Sequence, residues 1–144
     1  MIKNAFTTPL DIIDTVGGNV MHAMKSSSIG YTGFAEAYFS QIKFGSIKAW
    51  KRHNRMTLNL IVPIGKIKFV LFDNRRGLSG QFQEFTLSRE KYCRLTVPPK
   101  IWVGFQGLSN NESMLMNIAD IEHNPLEVDR LDIKEIKYNW SKNK

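Results

Sequence analysis

The chain has few of the residues that cross-link small proteins. It contains one cysteine, Cys93, and three histidines in 144 residues. An internal disulfide framework is therefore excluded, and Cys93, set in the strand-like YCRLTV, reads as a buried structural thiol rather than a nucleophile. No apolar run approaches the roughly 18 residues of a membrane span. The N-terminal MIKNAFTTPLDIID carries acidic residues where a signal peptide would be apolar, so a cytoplasmic protein with no membrane partner is expected. No internal repeat or low-complexity tract is visible, and no shift in composition marks a second domain. With 42% hydrophobic and 11% aromatic residues, the chain has enough apolar material for one core.

Charge of one sign is not concentrated. The formal net charge is +7, from 20 basic and 13 acidic residues. Lys43, Lys48, Lys51, Arg52 and Arg55 gather in one segment, and Arg75 and Arg76 sit in a turn, while the remaining basic residues punctuate strands and the tail KEIKYNWSKNK. There is no basic helix face, zinc-finger spacing or RNA-binding aromatic strand, so nucleic acid is not an expected partner. An electropositive pocket for a small phosphorylated ligand accounts for the local cluster.

From Phe34 onward, short apolar runs recur: FAEAYFSQIKF, SIKAW, MTLNLIVPI, KIKFVLFD, QFQEFTL, YCRLTVP, IWVGFQGL and ESMLMNIADI. Turn signals such as IGK, DNRRGLSG, SREK, VPPK and SNNE separate them. Such spacing predicts about eight strands in an all-β antiparallel sandwich or barrel. In KIKFVLFD, Ile67, Phe69 and Leu71 share one face; Lys66 and Lys68 begin the other, which turns apolar at Val70 and Phe72, so this strand is covered on both sides at its end. Met114 and Met116 are expected to fill the interior. Residues 1 to about 28 show no strong element beyond a Gly17-Gly18 turn and one helical turn around VMHAMK (20–25). After Ile121, Pro125 breaks the pattern, and LEVDRL reads as a short helical turn in a closing arm.

The segment GSIKAWKRHNRMTLNLIVPIGKIKFVLFD (45–73) holds the candidate chemistry. Lys51 and His53, two residues apart on an extended strand, face the same way. An imidazole titrating near neutrality beside an ammonium can abstract a proton and steady the charge that develops. Lys48, Trp50, Arg52, Asn59, Tyr38 and Trp102 are candidate ligand-binding neighbours. Either tryptophan could stack on a base or a sugar ring, or belong to the core. His22 and His123 read as structural or turn residues, and Arg75 and Arg76 as an exposed hairpin loop.

Several pieces together resemble a known family: GFAEAYF (33–39), the basic-small-apolar entry KAW (48–50), VPIGKIKFVLFD (62–73), VPPKIWVGF (97–105) and the tail ending in Asn139 and Trp140. In this order and spacing they are similar to the cupins, and within them to dTDP-4-dehydrorhamnose 3,5-epimerases and related nucleotide-sugar isomerases. The resemblance implies a single-domain jelly-roll cupin, with an N-terminal lead-in over 1–33 that is a candidate for exchange in a homodimer, a barrel over 34–122 and a C-terminal arm over 123–144.

Counted from Gly45, the metal-ligand positions of metal-binding cupins fall on Lys51, His53, near Leu58 and on Val103. One imidazole beside an ammonium is a poor cation site, so no metal is expected, and the metal-free relatives imply no cofactor. The epimerase base corresponds to Lys51, its lysine to a position near Leu58 and its tyrosine to a position on or next to Met116. His53 corresponds to the second member of the His-x-His pair that sugar 3,4-ketoisomerases use. The resemblance thus implies a metal-independent epimerase or isomerase acting on a 4-keto nucleoside-diphosphate sugar in cell-surface polysaccharide synthesis, with His53 and Lys51 catalytic. A non-catalytic cupin that binds a nucleotide sugar or glycan is the alternative.

Overall fold

Alternating apolar residues give the chain one face to bury in each strand, and the computed structural model shows how these faces are paired. It describes residues 1–77 and 79–142. The strands are β1 (Phe6–Pro9), β2 (Ile12–Ile13), β3 (Val20–Met21), β4 (Glu36–Ile42), β5 (Ile47–His53), β6 (Leu58–Ile64), β7 (Lys66–Asp73), β8 (Gln81–Ser88), β9 (Cys93–Val97), β10 (Trp102–Gly107), β11 (Ser113–Ala119) and β12 (Val128–Arg130). Two five-stranded sheets, β1-β9-β6-β11-β4 and β12-β5-β10-β7-β8, form the jelly roll, and β2-β3 makes a separate hairpin. The named strand pairs are all antiparallel.

The inner core joins Ile67, Phe69 and Leu71 of β7 to Leu60, Val62, Leu95, Val97 and Leu115 from the facing sheet. A second cluster covers the outer face of the β5-β10-β7 sheet: Trp50, Val70, Trp102, Ile136 and Trp140, with Phe72 and Tyr138 against it. Strand β7 is thus covered on both faces, as its sequence predicts. Lys68 is drawn into the outer cluster. It is 2% exposed; its ammonium donates to the carbonyls of Trp140 (3.4 Å) and Lys142 (3.0 Å) and lies over the rings of Tyr138 and Trp140 at 5.7 and 5.8 Å. Burial lowers its pKa.

Four local expectations change. Phe6–Pro9 forms an edge strand on β9, a pairing that its single large apolar residue does not announce. The predicted helical turn at 20–25 is absent, because the turn through Gly17 and Gly18, at φ +87° and +152°, folds Val20–Met21 back on Ile12–Ile13. The helical turn of the arm comes earlier than expected, as a 3₁₀ turn at Pro125–Glu127 capped by the Asn124 side chain, and Val128–Arg130 becomes strand. On β11 it is Ser113, Leu115, Asn117 and Ala119 that are buried, so Met114 and Met116 take the opposite face rather than the interior.

Candidate active site

Strands from both sheets enclose a cavity of about 610 Å³. Its floor is apolar, with Met56, Leu58, Leu60, Phe69, Val103, Phe105 and Leu115. Polar side chains reach it from four strands: Glu36, Tyr38 and Ser40 of β4, Lys48, Lys51 and His53 of β5, Asn117 of β11 and Arg130 of β12, joined by His123 from the loop before the 3₁₀ turn.

The order of side chains on β5 depends on a bulge. Arg52 and Lys51 pair with Trp102 and Val103, and Lys48 and Ile47 with Phe105 and Gln106, so Ala49 and Trp50 together oppose Gly104. The extra residue reverses the alternation. Lys51 and His53 face the cavity, and so does Lys48, three residues before Lys51 instead of two. Trp50 borders the cavity, but its indole is packed in the outer cluster and its ring N–H donates to the Ile133 carbonyl (3.4 Å).

His53 is held by a partner that the sequence reading did not name. Its Nδ1 hydrogen-bonds Oε1 of Glu127, a side chain only 4% exposed. The other carboxylate oxygen accepts backbone N–H groups from Asn54 (3.0 Å), Arg55 (2.9 Å) and Met56 (3.3 Å). Burial lowers the His53 pKa; the Glu127 contact raises it, and the charges of Lys51 and His123 lower it further. Burial alone would raise the Glu127 pKa, but hydrogen bonds from His53 and the turn outweigh it, leaving the carboxyl below its ordinary range. The pair is therefore a neutral imidazole donating Nδ1–H to a carboxylate, which leaves Nε2 unprotonated. Burial and the neighbouring Arg130 push the Lys51 ammonium down, against the pull of Glu127 and Glu36.

Of the other candidates, Tyr38 lines the cavity, and its hydroxyl accepts from Asn117 Nδ2 at 3.1 Å. Arg52, Asn59 and Trp102 do not join them. Arg52 lies on the outer face of β5, paired with Asp129 (2.7 Å) and 4.6 Å above the Trp102 ring. Trp102 belongs to the outer cluster. Asn59 alternates with the cavity-lining Leu58 and Leu60, and its side chain bonds the Gly30 carbonyl (3.1 Å) and the Thr96 hydroxyl (2.7 Å). His123, read as a turn residue, reaches the cavity. Of the cupin metal positions, Lys51, Leu58 and Val103 offer no ligand suited to a divalent cation, and His53 commits Nδ1 to Glu127.

Across 99% of its length and 94% of the other chain, the protein matches the crystal structure of a dTDP sugar isomerase from Desulfovibrio desulfuricans G20, with 33% identity and a TM-score of 0.91. The chain belongs to the RmlC-like family of dTDP-sugar isomerases and epimerases. More distant structures share the jelly-roll fold. A sugar 3,4-ketoisomerase from Thermoanaerobacterium thermosaccharolyticum, solved with TDP, matches at 14% identity and a TM-score of 0.77, over 91% of this chain and 90% of that one. A 3'-monoepimerase from Streptomyces bikiniensis, solved with dTDP-quinovose, matches at 11% identity and 0.83, over 97% and 76%. Among curated proteins, 84 residues are 25% identical to the probable low-salt glycan biosynthesis epimerase Agl13 of Haloferax volcanii, covering 56% of this chain and 54% of that protein. The chain thus spans about half the length of this curated relative. No protein-family model matches it. In this chain the cavity wall carries the buried His53–Glu127 pair with Lys51 two residues before His53 on the same strand.

Proposed function

We propose that the protein is a metal-independent isomerase or epimerase of a 4-keto nucleoside-diphosphate sugar, acting in the cytoplasm in glycan assembly. The observation that carries this reading is the buried His53–Glu127 pair, which sets an unprotonated imidazole nitrogen beside Lys51 in a cavity large enough for a sugar. The hydrogens on carbons next to a ketone are acidic enough for an imidazole to remove once the enolate oxygen is stabilised. In this account His53 takes the proton, Glu127 holds the ring in the reactive tautomer and Lys51 meets the developing oxyanion. Lys48 and Arg130 supply positive charge for the diphosphate, while the apolar floor takes the deoxygenated edge of the sugar.

Support comes also from the family of the match that covers nearly the whole chain. The homodimer expected from the sequence belongs to this proposal: β4 is a sheet edge whose Phe39 is 64% exposed, a surface that a second copy would cover.

The test is turnover of TDP-4-keto-6-deoxyglucose by the purified protein and by His53→Asn, followed by NMR, with TDP affinity measured in parallel. The expected result is conversion by the wild-type protein, a loss of about 10²- to 10⁴-fold in the variant and a nearly unchanged affinity. Binding of TDP without conversion of any 4-keto sugar by the wild-type protein would instead mark it as a non-catalytic binder.

A further inference from the structure

A lysine can assist proton removal beside a ketone in two ways: as an ammonium that faces the enolate oxygen, or as an amine that takes the place of that oxygen. The neighbours of Lys51 distinguish between them. On the cavity face of β5 it stands between Lys48 and His53; in register across the sheet it pairs with Val103 of β10 on one side and Arg130 of β12 on the other, and all of these line the cavity. None of the four is an acid. Cβ atoms in such cross-strand pairs lie about 4.5–5.5 Å apart, where two like charges repel.

The acids near the cavity are placed elsewhere. Glu127 gives one carboxylate oxygen to His53 and the other to three backbone N–H groups, and Glu36 comes from β4 of the opposite sheet. Lys48 donates to the Gln41 carbonyl at 2.9 Å and Arg52 is paired with Asp129, but among the described residues the Lys51 amine has no hydrogen-bond or ion-pair partner. Burial, followed by the Arg130 charge, holds its pKa below the ordinary lysine value against the weaker pull of Glu127 and Glu36. A half-buried lysine with one apolar neighbour, one cationic neighbour and an unengaged head group has the setting of a nucleophile toward carbonyl carbon.

We infer that Lys51 is a covalent catalyst: its amine condenses with the ketone of the bound sugar, and His53 takes the proton from the carbon next to the resulting iminium. The inference rests on the proposed isomerase function and exchanges the contact between Lys51 and an oxyanion for a covalent bond. Nζ attacks the ketone carbon and a C=O electron pair passes to the oxygen. That oxygen takes one proton from the amine and one from solvent and leaves as water, while the nitrogen lone pair closes the C=N bond of a protonated imine. His53 Nε2 then takes the hydrogen of the adjacent carbon; the C–H electron pair becomes the C=C bond of an enamine, and a C=N pair returns to nitrogen. A proton delivered back to carbon re-forms the iminium, and water adds to it, releasing the ketone, the amine and the solvent proton. Water is the only co-reactant, released once and consumed once. Residues 51 and 53 are about 6.5 Å apart along an extended strand, so a sugar carbon bonded to Nζ carries its neighbour toward the imidazole that Glu127 holds in place. Enamine formation also discharges the nitrogen beside Arg130, so the arginine that disfavours the ammonium favours this step.

The experiment gives TDP-4-keto-6-deoxyglucose to wild type, Lys51→Arg and His53→Asn. Exchange of ring hydrogens is read by NMR in deuterated buffer, and adducts are read by peptide mass spectrometry in ordinary buffer with cyanoborohydride, which reduces an iminium to a stable amine. Wild type should exchange, and its Lys51 should gain the mass of the ligand less one oxygen, an adduct that excess TDP suppresses. His53→Asn should form the same adduct but lose exchange by about 10²-fold or more. Lys51→Arg keeps a positive charge at this position without a nucleophilic amine, and should also lose exchange by about 10²-fold or more, with TDP affinity within about threefold of wild type. Exchange by wild type without an adduct on Lys51, or exchange by Lys51→Arg within about threefold of wild type, would overturn the assignment while leaving the isomerase reading intact. Absence of any exchange by wild type would remove the isomerase reading and this inference with it.

Discussion

At the scale of single residues, the account turns on how one carboxylate fixes one imidazole. Three backbone N–H groups converge on one oxygen of Glu127, and His53 meets the other. In Glu127→Gln only the amide oxygen can satisfy the backbone donors, so the amide N–H turns toward Nδ1 of His53. That contact forces the ring proton onto Nε2 and removes the base without removing the histidine. Turnover should fall about 10²- to 10⁴-fold while TDP affinity stays within a few-fold, as steady-state kinetics and calorimetry would show; a loss of less than threefold would mean that Glu127 does not set the tautomer. The sequence made His53 and Lys51 visible because period 2 puts them on one face. It did not make Glu127 visible, since the bond joins positions 74 apart and the acid sits in a short polar stretch with the look of a turn. The placements expected for Asn59, Arg52 and Trp102 show the complementary problem: each lies in or beside the right strand, but on the side that faces another layer of packing.

Among elements, β5 and its neighbours decide which side chains reach the cavity. The bulge that sets two residues against Gly104 restores Lys48 to the inner face and packs Ala49 beside Trp50 against the outer cluster, and strict alternation along KAWKRH cannot foresee it. Gly104 has no room for a side chain, because a β-carbon there would lie 2.8 Å from that of Ala49 and 2.9 Å from the Trp140 ring. Gly104→Ala should therefore cost about 1–3 kcal/mol in chemical denaturation, through displacement of the bulge and of the C-terminal tryptophan; an unchanged midpoint would show that the bulge is not held by this contact. Strong two-sided patterns such as KIKFVLFD were legible because both faces are apolar enough to demand cover. The short strands β1, β3 and β12 were not, because a few residues of weak pattern pair only when a longer strand offers them an edge.

For the whole molecule, the C-terminal segment ties stability to the site. It supplies Arg130 to the cavity and Glu127 to His53, exchanges backbone hydrogen bonds between Leu131 and Trp50 (3.0 and 3.1 Å), and ends with Ile136 and Trp140 in the outer cluster. Folding is therefore linked to the titration of the buried pair. His53 and Glu127 both have lowered pKa values in the folded state, so the unfolded chain binds their protons more readily. Their contribution is complete above the unfolded histidine value of about 6.5 and is lost as pH falls through the folded values, first for His53 and then for Glu127. The melting temperature should drop between pH 7 and pH 4, and His53→Gln should flatten the upper part of that fall; an equally steep fall in the variant would detach the pair from acid stability. The same linkage bears on activity, because protonated His53 is no base, so the acid limb of kcat/KM should lie below the ordinary histidine value.

The most direct measurement of the central claim, that the imidazole at position 53 removes a hydrogen from a keto sugar held in this cavity, is the initial rate of solvent deuterium uptake into TDP-4-keto-6-deoxyglucose at neutral pH, for wild type against His53→Asn. The account predicts uptake at a carbon adjacent to the ketone with the wild-type protein, and at least about a 10²-fold slower rate with the variant. Equal uptake by the two proteins would contradict it.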